Sequence, residues 1–319
     1  MVTLFAYFGG IVALADLTNV RLGVELLTLA TAFAALAITR LPVLFLRDWW
    51  VFLLGLLLWN LSGPIAARSP FPVQLNFMLD MDHRLFFGHD AVSFLQHHLA
   101  SRGHVRPLDV VTSLAYNLHL PEPYIVGYFL WRVDRVIYFR FVAAALLLLV
   151  LGFITFILFP AMPPWLSSLR YDRPQDVFNG FNPFVHSHPL PFHGTPIFYV
   201  FKLTGDAVAA FPSEHAAFPL LEYLALRAAI GRRAYPFLLW VGFVLFAIVY
   251  LAEHWVTDAV AGYVYALVIW AFVTWTSGSS HGRRTPSAFR AVAQGDLRKA
   301  PEDSAESTAN RLARISSAT

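Results

Sequence analysis

The chain contains no cysteine among its 319 residues. This absence excludes disulfide bonds, thiol catalysis and cysteine-bound metal sites. Charged residues are scarce at 13% of the chain, whereas hydrophobic residues make up 57% and the mean hydropathy is +0.57. The sequence also lacks internal repeats and a glycine-rich phosphate-binding loop. These absences leave long apolar runs as its most prominent feature.

Several of these runs are long enough to cross a bilayer core of about 30 Å. Residues 141–159, 235–252 and 259–276 contain no charged residue at all. We therefore predict an all-α, polytopic membrane helix bundle of about eight transmembrane helices. The predicted spans are 3–18, 23–39, 49–67, 107–131, 138–160, 208–229, 235–253 and 256–276. Pro121, Pro123 and several polar residues in the span 107–131 predict a position inside the bundle or a break near its middle.

The distribution of arginine in the short loops predicts the orientation, because basic loops face the cytoplasm. Three such loops are separated by even numbers of spans, and they contain Arg40 and Arg47, then Arg132, Arg135 and Arg140, then Arg232 and Arg233. Segments 68–106 and 161–207 and the turn around His254 then face outward. We predict a multi-pass protein of the cell membrane with both termini in the cytoplasm.

Composition also predicts the domain organisation. After Thr276 the chain becomes rich in serine, alanine and charge, and such a segment cannot bury a core. We predict N-terminal accessory transmembrane helices in residues 1–48 and a disordered cytoplasmic tail in residues 278–319. The net charge of +3 comes largely from cytoplasmic basic residues, so it gives no indication of nucleic-acid binding. The sequence does not indicate the oligomeric state.

Two histidine motifs fall at the outer ends of predicted spans. In Pro212-Ser213-Glu214-His215, the serine is a typical helix N-cap, and a helix that begins there attracts phosphate. In the second motif His254 and Asp258 are four residues apart, which predicts that they share one helical face. Asp258 would then keep one ring nitrogen of His254 protonated and leave the other nucleophilic. The alternative for this pair is a hydrogen bond that merely caps a helix.

Together the motifs predict phosphoryl transfer through a phosphohistidine. His254 attacks phosphorus, His215 protonates the departing oxygen, and water or a hydroxyl group then accepts the phosphoryl group. The scheme requires neither a metal nor a cofactor. The predicted contacts to phosphate are Ser213 and the cations of an outer loop, Arg170, Arg173 and Lys202.

These motifs resemble a known family. Pro212-Ser213-Glu214-His215 is similar to the Pro-Ser-x-His motif of the type 2 phosphatidic acid phosphatase superfamily. The segment from His254 to Gly262 resembles the His-aromatic-x-x-Asp-x-x-Ala-Gly signature of the branch related to inositol phosphorylceramide synthase and sphingomyelin synthase. Upstream segments that resemble bacterial members of this branch are Phe159 to Trp165, Leu85 to Gly88 and Tyr116 to His119. The resemblance covers roughly residues 50–276.

The resemblance implies a six-helix catalytic core within a catalytic transmembrane domain at 49–277, and a membrane lipid or polyprenyl phosphate as substrate. It also implies that His254 is the nucleophile, that Asp258 orients it and that His215 is the acid. Two motifs of the phosphatase members are missing: Leu166 stands where a Lys-x6-Arg-Pro motif has its lysine, and Ala247-Ile248 replaces a Ser-Arg pair. These departures favour a transferase over a simple phosphomonoesterase.

Several functions are compatible with the sequence. The leading one is an integral-membrane enzyme that hydrolyses a lipid or polyprenyl phosphate, or that transfers a phospho-headgroup to a lipid or polyol hydroxyl. A transporter or flippase with Asp109, His119 and Glu122 in a polar pathway is a second hypothesis, although motifs at span ends argue against it because transport sites lie near the midplane. A scaffolding pseudoenzyme is a third, motivated by the missing phosphate-binding arginine.

An amphipathic interfacial helix is predicted from about residue 72 to residue 100. Its polar residues Asp80, Asp82, His83 and Arg84 have two interpretations. They contact the substrate headgroup, or they form the polar face of a helix that lies on the membrane surface.

Overall fold

The computed structural model describes residues 42–59, 65–74, 76–89, 91–100, 106–118, 121–165 and 208–278. Within these ranges the chain is helical and contains no β-strand, which confirms the all-α class; two isolated bridges join Ala161 to Gln74 and to Ala209. Nine α-helices occur there in chain order: α1 Pro42–Trp59, α2 Asn76–Leu85, α3 Ala91–Leu99, α4 Pro107–Leu118, α5 Glu122–Val133, α6 Arg135–Leu158, α7 Glu214–Ile230, α8 Phe237–Tyr250 and α9 Val256–Gly278. A 3-10 turn, Gly231–Ala234, connects α7 to α8.

Helices α6 and α7 form an antiparallel pair on which other helices pack. Helix α6 packs against α1, α5 and α7, and α7 also packs against α5 and α8. Glu214, the first residue of α7, lies beside Gly152 near the end of α6. The two residues are so close that a Cβ atom on this glycine would clash with the Glu214 carboxylate. The start of α7 and the end of α6 therefore lie at the same end of the bundle.

Asp48 of α1 contacts the start of α6, which is the opposite end of that helix from Gly152. Its carboxylate is buried, accepts a hydrogen bond from Trp131 Nε1 at 2.8 Å and pairs with Arg47 and Arg135. Rings of α1 and α6 form a core beside this cluster, namely Phe45, Trp49, Phe52, Tyr138 and Phe141. Helix α1 thus begins before the predicted span 49–67 and ends at Trp59, and the predicted boundary after residue 48 falls inside it. The adjacent charged residues Arg47 and Asp48 indicated a loop, whereas Asp48 is buried and bonded to Trp131 and Arg135.

Two helices within the described ranges, α6 and α9, are long and apolar enough to cross a membrane, and α8 is apolar but has only 14 residues. The predicted span 107–131 is interrupted between α4 and α5, as its prolines and polar residues indicated. Helix α7 begins at Glu214 rather than at residue 208. The predicted spans 3–18 and 23–39 lie outside the described residues, so the count of eight stays a prediction.

The chain divides into two compact units, Met1–Val273 and Thr274–Thr319. The first unit contains α1 to α8 and most of α9. The second is described only over the last residues of α9, up to residue 278. The predicted tail lies beyond that point and outside the described residues.

The segment predicted as one amphipathic helix forms two helices, α2 and α3. Phe87 and Gly88 adopt left-handed backbone conformations with φ of 55° and 90°, which is a typical way for a helix to end. On α2, Asp80 is exposed whereas Asp82 is fully buried. A second hydrophobic core lies beside this helix and includes Met78, Val92, Tyr116, Ile248 and Trp255. The buried aspartate is therefore directed into the protein and not toward a surface.

Candidate active site

Ser213 caps the start of α7. Its backbone is extended, with φ −72° and ψ 109°, and its hydroxyl oxygen accepts the backbone N–H of Ala216 at 3.2 Å. Its own N–H donates to the carbonyl oxygen of Asp258 at 2.9 Å. The serine is fully buried. This residue therefore joins the two motifs through the backbone and uses its side chain to satisfy the helix end.

The second motif is arranged differently from the prediction. Helix α9 begins at Val256, so His254 precedes the helix and does not share a helical face with Asp258. The Asp258 carboxylate instead accepts the N–H of Trp255 at 3.0 Å, and the same oxygen lies 3.6 Å from His254 Nδ1. The carbonyl oxygen of Ala210 is nearer, at 3.0 Å from that nitrogen. Sequence reasoning missed Ala210 because a backbone acceptor leaves no signature in residue type.

The two histidines of the separate motifs are in contact. His215 Nδ1 lies 3.1 Å from His254 Nε2. Since His254 Nδ1 faces the oxygens of Ala210 and Asp258, we assign the ring proton to Nδ1, and Nε2 is then an unprotonated acceptor. The ring of His215 stacks on Tyr116 with centroids 4.4 Å apart and an interplanar angle of 12°. The unprotonated nitrogen of His254 therefore points toward the second histidine.

A pocket of about 60 Å³ opens onto both histidines. Its other walls combine aromatic rings with two carboxylates, and they include Trp59, Tyr116, Phe156, Trp165, Glu214 and Glu253. Glu214 and Glu253 are only 3% and 4% exposed. The sequence named Glu214 only as a member of the first histidine motif, and it did not indicate Glu253. The site thus contains acidic groups that a phosphate site alone does not require.

The remaining predicted residues are distributed as follows. Arg170, Arg173 and Lys202 lie outside the described residues, and their contact with phosphate stays a prediction; His119 is also outside them. Asp109 accepts hydrogen bonds from Tyr250 Oη and from the N–H of Arg106, both at 2.6 Å. Glu122 accepts one from Trp240 Nε1. Both carboxylates of the hypothetical transport pathway are thus bonded to neighbouring groups.

Among the described residues, no three histidine, aspartate or glutamate side chains come close enough together to bind a metal ion. The set of His215, His254 and Asp258 consists of two histidines in contact and an adjacent buried carboxylate. Such a set can provide a nucleophile, a proton donor and an orienting group.

Comparison with known proteins identifies a family and a distant relative. A family model described as the PAP2 superfamily matches residues 76–272, which include both motifs. A curated protein of Bacteroides thetaiotaomicron, phosphoinositol dihydroceramide synthase, is 26% identical over 183 residues. The match covers 51% of this chain and 55% of that relative, so the chain spans about half the length of the relative. No solved structure matches the chain.

Proposed function

Because the chain belongs to the PAP2 superfamily, whose model covers more than half of its length, we propose that it is an integral-membrane lipid phosphatase or phosphotransferase. The observation that carries this proposal is the contact of 3.1 Å between His215 Nδ1 and His254 Nε2 at the wall of a pocket. The two histidines are 39 residues apart in the sequence; His215 lies in the first turn of α7, and His254 lies two residues before α9.

In the first step, the lone pair of His254 Nε2 forms a bond to phosphorus as the bond from phosphorus to the leaving oxygen breaks. His215 gives its proton to that oxygen. The Nδ1–H of His254 stays hydrogen-bonded to the carbonyl oxygen of Ala210 and faces Asp258. The positive charge that develops on the ring therefore lies beside a buried carboxylate. Asp258 thereby stabilises the phosphohistidine and fixes the ring orientation.

In the second step, an acceptor hydroxyl or water gives its proton to His215 and attacks phosphorus. The bond between phosphorus and Nε2 breaks, and its electrons return to the ring. An in-line attack places the leaving oxygen on the far side of phosphorus, so the bound phosphoryl group must replace the direct contact between the histidines. The start of α7 adds the positive end of a helix dipole on the phosphoryl side.

The acidic lining of the pocket favours headgroup transfer as the second candidate within this chemistry. Glu214 and Glu253 repel a bare phosphate but accept hydrogen bonds from hydroxyl or ammonium groups. A substrate that carries such donors next to its phosphate satisfies both requirements. The relative is named for a phosphoinositol group, which is a polyol phosphate. We propose transfer of a polyol-type phospho-headgroup to a lipid hydroxyl as the alternative to hydrolysis.

The proposed location is the extracytoplasmic face of the cell membrane. Helices α6 and α9 support membrane insertion by length and composition. The site lies at the end of α6, whereas the arginine cluster around Asp48 lies at its start. Basic residues mark cytoplasmic ends, which favours an outer position for the site.

The test compares purified wild-type protein with the His254→Ala protein in detergent. The substrates are phosphatidic acid, a polyprenyl phosphate and phosphatidylinositol with dihydroceramide, and the measured products are inorganic phosphate and a new phosphodiester. We expect the substitution to lower turnover by at least about three orders of magnitude, since it removes the nucleophile. The matched control is His97→Ala, because His97 is an exposed histidine on α3 outside the pocket.

The two product classes separate hydrolysis from transfer. Free phosphate identifies a phosphatase, and a new phosphodiester identifies a transferase. Retention of wild-type turnover by the His254→Ala protein contradicts the proposed nucleophile and with it the covalent mechanism.

A further inference from the structure

Asp82 lies outside both histidine motifs, yet it contacts the start of the helix that follows His254. Its fully buried carboxylate accepts hydrogen bonds from the N–H of Val256 at 3.0 Å, from the N–H of Thr257 at 2.8 Å and from the hydroxyl of Thr257 at 2.5 Å. We propose that Asp82 is a positioning residue that holds the start of α9, and through it His254 and Asp258, in register with His215. This inference rests on the proposed function of the histidine pair.

The start of α9 requires such a partner. The first backbone N–H groups of a helix have no acceptor within the helix, and a side-chain oxygen of the preceding residue commonly satisfies them. The preceding residue here is Trp255, whose side chain has no acceptor. Asp258 satisfies the N–H of Trp255 itself, and Asp82 satisfies the next two. The helix start is thus held by one carboxylate from its own first turn and one from α2.

The charge of Asp82 strengthens this attachment. A carboxylate at a helix N-terminus interacts favourably with the helix dipole, and its hydrogen bonds are charge-assisted. The interaction spans 174 residues of sequence, so it connects α2 directly to α9. Because the group is fully buried, solvent does not compete for these bonds.

A displacement of the start of α9 would also displace His254, the proposed nucleophile. His254 is separated from the bonded Val256 only by Trp255, whose indole N–H is fixed to the carbonyl oxygen of Met162 at 3.1 Å. The N–H of His254 is bonded to the carbonyl oxygen of Ile248 at 3.2 Å. Loss of the Asp82 bonds leaves the N–H groups of Val256 and Thr257 without this acceptor, so the start of α9 is less firmly held. A misplacement of about 1 Å at a reacting atom can cost on the order of 10²-fold in rate.

The test uses the Asp82→Asn protein, which keeps the side-chain size but replaces one acceptor oxygen by a donor that faces backbone N–H groups. The matched control is Asp80→Asn, since Asp80 is an exposed aspartate on the same helix. The measurements are kcat and KM in the steady state, and the rate and amplitude of phosphoenzyme formation in rapidly quenched reactions. The amplitude gives the fraction of folded, competent molecules, and the rate reports the positioning of His254.

We expect Asp82→Asn to lower kcat and the rate of phosphoenzyme formation by about 10²-fold, with KM changed by less than about threefold. Thr257→Val removes the hydroxyl bond alone, and we expect it to lower the same rate by roughly two- to tenfold. The Thr257→Val protein tests the inference even where the Asp82→Asn protein fails to fold. A lower amplitude with an unchanged rate overturns the inference, because it shows a purely structural role, and so does a rate equal to that of Asp80→Asn.

The His254→Ala protein is measured in parallel to separate the two proposals. Wild-type turnover in that protein overturns the proposed covalent mechanism on which this inference rests. An inactive His254→Ala protein together with unchanged rates in Asp82→Asn and Thr257→Val overturns only the positioning role of Asp82.

Discussion

At the scale of single residues, Glu214 and Glu253 contribute the two carboxyl groups of the pocket wall. Both carboxylates are buried beside the histidines. If they accept hydrogen bonds from a headgroup, their replacement by glutamine weakens the binding of a hydroxyl-bearing substrate and reduces the repulsion of a bare phosphate. Charge-assisted hydrogen bonds contribute about 1.5–3 kcal/mol, which corresponds to roughly 10- to 100-fold in a specificity ratio.

We therefore predict that Glu214→Gln and Glu253→Gln each lower the ratio of kcat/KM for phosphatidylinositol over phosphatidic acid by about tenfold or more. The control is Glu222→Gln, because Glu222 is buried on the same helix as Glu214 but does not line the pocket. Steady-state kinetics on the two substrates measure the ratio. An equal change in kcat/KM for both substrates would show that the carboxylates do not select the headgroup.

The single residues also show what the sequence could and could not predict. The motifs named His215, His254 and Asp258, and the structure brings the three together. The helical spacing of His254 and Asp258 was the wrong geometry, because the histidine lies before the helix. The carbonyl oxygen of Ala210 and the carboxylate of Asp82 act through backbone contacts over long sequence separations, and no residue pattern indicates such partners.

At the scale of elements, the close approach of α7 and α9 brings the two motifs together. Gly262 of α9 faces the carbonyl group of Ser213 and the backbone nitrogen of Ala217, and a Cβ there would meet backbone atoms that cannot rotate away. Glycine at this position allows the two backbones to approach. A larger residue has to push the helices apart, and the distance between His215 and His254 changes with them.

We predict that Gly262→Ala lowers kcat by about 10²-fold and destabilises the protein by about 1–3 kcal/mol, as expected for an overpacked contact. Gly242→Ala is the control, since a Cβ at Gly242 of α8 meets no atom within 4 Å. That substitution should leave kcat unchanged and keep or slightly raise the Tm, because alanine favours a helix over glycine. Thermal unfolding and turnover measure both effects, and wild-type kcat in the Gly262→Ala protein would show that this contact does not set the histidine geometry.

The helices were predicted well where the sequence is uniformly apolar and poorly where charges are buried. The span 256–276 corresponds closely to α9, and 138–160 to α6. The start of α1 was misplaced because Asp48 is a charge that pairs with Trp131 and Arg135 inside the protein. Hydropathy registers such a residue as polar and cannot detect its partners.

At the scale of the whole molecule, the apolar surface of the first unit supports a bilayer environment. The outer face of α9 exposes a row of large apolar side chains, Val260, Val264, Leu267, Val268 and Phe272. Helix α6 exposes others, among them Val150, Ile154 and Leu158. Contiguous apolar surfaces of this kind are costly in water and are typical of protein in contact with lipid or with another apolar partner. Hydropathy also favours a membrane environment, whereas the number of spans depends on residues beyond those described.

The orientation proposed for the site is testable because the chain has no cysteine, so an introduced cysteine is the only thiol in the protein. Ala67 is exposed and lies two residues before Ser69, whose hydroxyl donates to the carbonyl oxygen of Ile157 at the site end of α6. Arg233 is exposed in the turn between α7 and α8, at the opposite end of α7 from Ser213. The two positions therefore report on opposite ends of the bundle.

We predict that a membrane-impermeant maleimide labels the Ala67→Cys protein in intact cells, and labels the Arg233→Cys protein only after the membrane is permeabilised. The physical reason is that the arginine-rich helix ends stay on the cytoplasmic side, where transfer of their charges across the bilayer is avoided. The cysteine-free wild-type protein gives the background, and resistance of all three proteins to alkaline extraction tests membrane insertion itself. Labelling of Arg233→Cys alone in intact cells would reverse the orientation and place the histidine pair on the cytoplasmic face. Labelling of both positions from one side would contradict a bundle that crosses the membrane between them.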